Sequence, residues 1–210
     1  MRRGRQLSPR AARPGLAPAV VAACGGGASP APGSSGAATA SGLVPGGLGP
    51  PASLPPAATP LVRIDPALLK VLPDSVEGQS VLESSEVDAD ASANASLARI
   101  ADSAVGAIAI DPAAGDFVLP LVVRLRPSIF DDAGFRNWRD SFDAGVCGGN
   151  GVAGHAQSQI GGRTVYVATC GGSNALHTYH VWIPDSNLLV SASAGGTRNF
   201  GEVLFGTLRP

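Results

Sequence analysis

The sequence predicts an α+β fold, an antiparallel meander of about five strands with two to three helices packed on it. Three observations carry this. Residues 155–194 contain four short β-prone segments in two pairs, each pair closed by a turn cluster of two or four residues, too short for anything but antiparallel pairing. Apolar residues at helical spacing flank that region on both sides, and helices at both ends must cover the faces of the sheet. Residues 61–210 are enough for one domain with its own core.

The elements follow in order. Asp65-Pro66 reads as N-cap and first helical residue of a short turn that runs through Leu72 and stops at Pro73. The acidic stretch Glu83 to Asp90 reads as an exposed loop. Leu97, Ile100, Ala101, Ala104, Val105 and Ile108 share one face of a helix beginning at Ser92 or Asn94, running to Ile110 and stopped by Asp111-Pro112. Phe117 to Leu125 is a nearly continuous apolar run and reads as a strand, one that Pro120 makes enter the sheet late or lie at an edge. Pro127-Ser128 opens a second helix, with Ser128 and Asp131 spaced as a capping box. Phe135, Trp138 and Phe142 form its apolar face, and Gly145 terminates it.

Four strands come next. His155 to Ile160 and Arg163 to Cys170 flank Gly161-Gly162, and Leu176 to Ile183 and Leu188 to Ala194 flank Pro184-Asp185-Ser186-Asn187. Thr197 then caps a last helix carrying Phe200, Val203, Leu204 and Leu208.

Composition divides the remainder. The chain holds 28 Gly and 18 Pro, and charged residues are only 15% against roughly 25% in ordinary domains. No Gly-X-Y period supports collagen, and no apolar run approaches the roughly 18 residues that a helical span needs. Residues 25–60 carry no charge and are almost entirely Gly, Ala, Pro and Ser. Such a segment buries too little to offset its ordering entropy and reads as a disordered tether. Ahead of it, Arg2, Arg3, Arg5, Arg10 and Arg13 precede a short apolar stretch, Gly15 to Ala23, in the order of an export signal over residues 1–23.

That leader closes as Val21-Ala22-Ala23-Cys24, which resembles the lipobox of bacterial envelope lipoproteins. The resemblance implies cleavage before Cys24 and a diacylglyceryl thioether on its sulfur, with an N-acyl chain beside it. Two or more buried chains hold a protein stably on a bilayer. The protein is then exported and anchored to the outer face of the cytoplasmic membrane, with the membrane as its first partner. No motif ties residues 61–210 to a named family.

Without the basic leader, 10 basic residues face 16 acidic ones, which leaves no footprint for nucleic acid. Once Cys24 is lipidated, Cys147 and Cys170 remain as an even pair in an oxidising compartment and read as a disulfide. No Cys-x-x-Cys spacing supports a metal, so none is predicted, nor any cofactor. His177 and His180 lie three apart on a strand and face opposite ways. Those two and His155 have no evident acid partner, while Asp131/Asp132 and Asp140/Asp143, with Arg136 and Arg139, read as surface ion pairs of the aromatic helix. Tyr179 shares a face with His177, and Trp182 with His180; either row lines a pocket or fills a core. Cys147 to Gly154 lacks the Lys-Ser/Thr of a phosphate loop and precedes a strand, so it reads as a helix-to-strand connection. No nucleophile motif occurs, and no catalytic residue is predicted. The expected function is non-catalytic binding of an envelope protein or a small apolar ligand. A hydrolase built on a His/Asp pair and a spacer or sensor ectodomain are the alternatives.

Overall fold

The computed structural model describes residues 62–173 and 176–210; the leader, Cys24 and the tether lie outside the described residues. Within them an eight-stranded, mostly antiparallel sheet is covered by helices on both faces, more strands than the five expected. The chain starts with β1 (Arg63–Ile64), a 3₁₀ turn (Pro66–Val71), β2 (Ser75–Val76), β3 (Gln79–Ser80) and β4 (Leu82–Glu83). Helices α1 (Ser85–Ala93) and α2 (Ala95–Ile100) follow, then β5 (Ala101–Asp111), β6 (Asp116–Leu125) and α3 (Asp132–Cys147). The remainder is β7 (Val152–Ile160), β8 (Arg163–Cys170), β9 (Leu176–Ile183), β10 (Leu188–Gly195) and α4 (Phe200–Gly206). Among these described helices none is long and apolar enough to cross a membrane.

The strand order is β1-β5-β6-β10-β9-β8-β7, with β4 also pairing with β5 and β2–β3 standing apart. The chain is therefore not one continuous meander. After the β5–β6 hairpin, α3 carries it across one face of the sheet to the far edge. From there β7 to β10 return strand by strand until β10 pairs with β6. Sixteen residues of α3 span about 24 Å, enough for the roughly 19 Å occupied by the four strand spacings from β6 to β7.

Two cores result, one on each face. Leu97, Ala104, Leu121, Val123, Leu189 and Phe135 pack beneath α1, α2 and α3. Leu68, Leu72, Val105, Val122, Val190, Phe200, Leu204 and Phe205 pack beneath the 3₁₀ turn and α4.

The largest departure from expectation is β5, whose apolar spacing predicts the body of a helix. Only the segment through Ile100 is helical, and Asn94 caps it by accepting from the N–H groups of Ser96 and Leu97. Residues 101–111 form a strand whose stretch from Ser103 to Ala109 is buried on both faces apart from the half-buried Ile108. Such a strand is apolar almost throughout, so a helical spacing can be picked out of it by chance. Pro120 likewise sits in a central strand, not at an edge. It is opposite Ala192 on β10, while the β5 ladder lapses between Gly106–Leu121 and Ala109–Val118, where its missing N–H goes unused.

Other local signals shift. Glu83–Asp90 is not a loop: Ser84 caps α1, and Asp88 is buried because its carboxylate accepts the Gly106 N–H at 2.7 Å. Helix α3 starts not at Ser128, whose φ is +61°, but at Asp131, which accepts from the Gly134 N–H. It runs past Gly145 and ends at Cys147, before Gly148. Asn199, not Thr197, precedes α4; the Thr197 N–H instead donates to Asp116. The Asp65 cap stands as read, with Ala67 N–H donating to its carboxylate. Both glycines of the β7–β8 turn have positive φ, +57° and +77°, the pair that a two-residue type I′ hairpin requires.

Cys147 and Cys170 are joined, with sulfurs 1.99 Å apart and Cα atoms 5.0 Å apart. The bond ties the last residue of α3 to the last residue of β8.

Candidate functional site

Helix α3 lies over β8, β9 and β10 with a mixed inner face. Its first half is apolar: Phe135 meets Tyr166 edge-on at 5.3 Å, and Trp182 fills the space between Phe135 and Phe130. Its second half is polar. The Trp138 indole N–H donates to Ser191 Oγ at 2.9 Å, and Phe142 sits edge-on to the His180 ring. Asp143, fully buried, receives hydrogen bonds from three directions.

These bonds form a chain. Since Ser191 Oγ accepts from Trp138, its own proton points to His180 Nδ1, 2.9 Å away. His180 then carries its proton on Nε2 and donates it to Asp143 Oδ1 at 2.8 Å. The Thr178 hydroxyl donates to the same oxygen, and His155 Nε2 lies 3.2 Å from Oδ2. Burial pulls the His180 pKa down against the upward pull of Asp143, which keeps the imidazole neutral. Burial pushes the Asp143 carboxyl up, but the hydrogen bond and electrostatic pull of His180, the hydrogen bond from Thr178 and the nearby His155 ring outweigh it. The net direction is down, so Asp143 is a carboxylate.

Two sequence readings are corrected here. The histidines do have an acid partner, because strand pairing brings His180 and His155 to one face and α3 lowers Asp143 between them. Asp143 is no surface ion-pair member. Of the acids on that helix, Asp140 behaves as expected, exposed and 3.4 Å from Arg139, whose guanidinium also stacks 4.6 Å over Tyr166. His177 points to the opposite face, toward Tyr179, and bonds Thr169 at 3.2 Å. Both aromatic rows are core: Tyr179 packs on Phe205, and Trp182 on Phe130 and Phe135. Asp143 could have been suspected from one signal, a carboxylate one residue beyond Phe142 on the apolar side of α3.

An acid, an imidazole and a hydroxyl in sequence have the makings of a nucleophilic triad. Here Ser191 and His180 have no exposed surface, and the hydroxyl accepts from Trp138 and donates to His180 within the chain of bonds. Sealed from solvent, the chain of bonds acts as a polar clamp of α3 on the sheet.

Among the described residues, hollows outside the clamp open to solvent. One of about 560 Å³ lies by β1 between Arg63, Asp102 and Arg126. Another of about 340 Å³ lies between α3 and β7–β8, with Arg136, Arg139, Gln157 and Tyr166 on its walls. Both have charged rims. Beside the second runs β7, the last strand of the sheet. Seven of its nine residues are exposed, on both faces, and none is Asp, Glu, Lys or Arg.

Comparison with protein-family models, with curated proteins and with solved structures returns no match.

Proposed function

We propose that this chain is a lipid-anchored extracytoplasmic protein whose domain is a non-catalytic binding module for an extended segment of an envelope protein. The observation that carries the reading is β7. A long, uncharged, unpaired strand edge invites pairing with another chain, and proteins ordinarily blunt such edges with charge, proline, bulges or brevity. At the other end of the strand order brevity does this, since β1 has two residues and β4 two more. Along β7 a single irregularity, near Val152–Gly154, interrupts the pairing with β8. The strand adds almost nothing to either core, and among the described residues only β8 pairs with it, so what it offers is the row of backbone groups on its outer edge, the feature used in recognition by strand addition.

The small-ligand alternative has less support, because the aromatic rows that would line an apolar pocket are spent in the two cores. The hydrolase alternative has a His/Asp pair but a hydroxyl sealed from solvent. A lipid anchor and uncharged tether suit a module that searches for a partner near a membrane.

Two measurements test the two halves. Metabolic labelling with a fatty-acid analogue should mark the wild type and not Cys24→Ser; labelling of both, or of neither, rejects the anchor. Photo-crosslinking residues placed at Gln157 and Gln159 should capture one envelope protein in intact cells. The capture should disappear when Ser158 is replaced by Lys and be missing from a crosslinker at Glu86 on α1. Equal capture from Glu86, or no effect of Ser158→Lys, rejects the strand edge.

A further inference from the structure

Asp140 and Asp143 stand three residues apart on α3, and His155 faces them from β7. One donor atom from each of the three lies within 4.8 Å of the other two. His155 Nε2 and Asp143 Oδ2 are 3.2 Å apart. Two ligand atoms on one tetrahedral zinc ion, at bond lengths of 2.0–2.1 Å, are separated by about 3.3 Å. The pair is thus already spaced as ligands of one ion, beyond being spaced for a hydrogen bond.

The surroundings suit such an ion. Asp143 presents Oδ2 while its other oxygen is held by His180 and Thr178, the outer support that fixes a metal-ligating carboxylate. His155 and Asp140 have side chains 53% and 62% exposed, so an ion can enter from solvent and Asp140 can swing in. Among the described residues Arg139, 3.4 Å from one Asp140 oxygen, competes for that carboxylate. Two carboxylates and a neutral imidazole balance a divalent charge. Imidazole with carboxylate favours a first-row transition ion, whereas calcium and magnesium need more oxygen ligands than these residues supply.

We propose that Asp140, Asp143 and His155 form a zinc site with three protein ligands and a water in the fourth position. On binding, the proton that His155 holds on Nε2 passes to Nδ1, and the freed Nε2 lone pair takes the ion. The His155–Asp143 hydrogen bond is replaced by two coordinate bonds that join β7 to α3. The inference stands apart from the partner reading, though it acts on the same strand.

The test uses the full chain with its disulfide intact, titrated with zinc by calorimetry and with cobalt(II) by visible absorption. One equivalent should bind, with the intense spectrum of four-coordinate cobalt. His155→Ala and Asp140→Asn should each weaken binding about a hundredfold, while His177→Ala leaves it unchanged. Asp140 and His155 are exposed enough for both variants to fold, which circular dichroism checks. Failure of the wild type to bind zinc overturns the proposal. So does undiminished binding in either ligand variant, or an equal loss in His177→Ala.

Discussion

Replacing Asp143 by Ala removes the acceptor on which the clamp between α3 and the sheet converges. Two donors are stranded in the interior, the His180 Nε2–H and the Thr178 hydroxyl, both on residues with no exposed surface. A buried donor left without its partner costs about 1–3 kcal/mol. His155 is half exposed and turns to water, so it adds little. Relief of the desolvation that the carboxylate suffers offsets part of the loss. The expected net cost is about 3 kcal/mol, a large share of the roughly 5–15 kcal/mol of a typical domain. Asp143→Asn behaves differently. Its carbonyl oxygen occupies the position of Oδ1 and still accepts from both His180 and Thr178, now as a neutral acceptor, and its amide faces His155. That variant should lose only about 1 kcal/mol. Urea unfolding in the presence of a chelator, followed by the fluorescence of Trp138 and Trp182 and by circular dichroism, gives both values. A double-mutant cycle with Thr178→Val isolates the coupling, expected at about 1–2 kcal/mol. A loss below about 1 kcal/mol for Asp143→Ala would refute the clamp, and an equal loss for Asn and Ala would show that charge, not acceptor geometry, does the holding.

Three further expectations rest on separate contacts. Replacing Cys147 and Cys170 by Ser opens a link spanning 23 residues of sequence, which the chain-entropy relation converts to about 3 kcal/mol; denaturant midpoints of the oxidised and double-Ser proteins measure it. Gly201→Ala in α4 would gain helix propensity, but its Cβ would lie 2.2 Å from the Tyr179 ring, so overpacking of about 1–3 kcal/mol outweighs the gain and the melting temperature should fall. Burial, aided by the charge of Glu202, pushes the Tyr179 hydroxyl up to about 12. A raised folded pKa means stabilisation that is complete below the unfolded value of about 10 and is lost as pH climbs toward the folded one. The slope approaches about 1.4 kcal/mol per pH unit, and Tyr179→Phe should lack it when unfolding is followed from pH 9 upward.

What the sequence determined by itself was local. The β7–β8 and β9–β10 hairpins are legible because Gly161-Gly162 and the turn ending in Asn187, which takes the left-handed conformation, set chain reversal within a few residues. The Asp65 cap, the apolar run of β6 and the pairing of Cys147 with Cys170 are legible for similar reasons: each depends on neighbours in sequence or on parity of cysteines. The identity of β5 was not, because burial on two faces erases the alternation that separates strand from helix, and only packing against α1 and β6 distinguishes them. Nor was the role of Asp143, which on its own helix resembles any other acid. Its partners Thr178, His180 and His155 come from two strands that the crossover of α3 brings beneath it. A hydrogen bond is specified by where two groups end up in space, and for groups 12 to 37 residues apart the tertiary structure alone decides that.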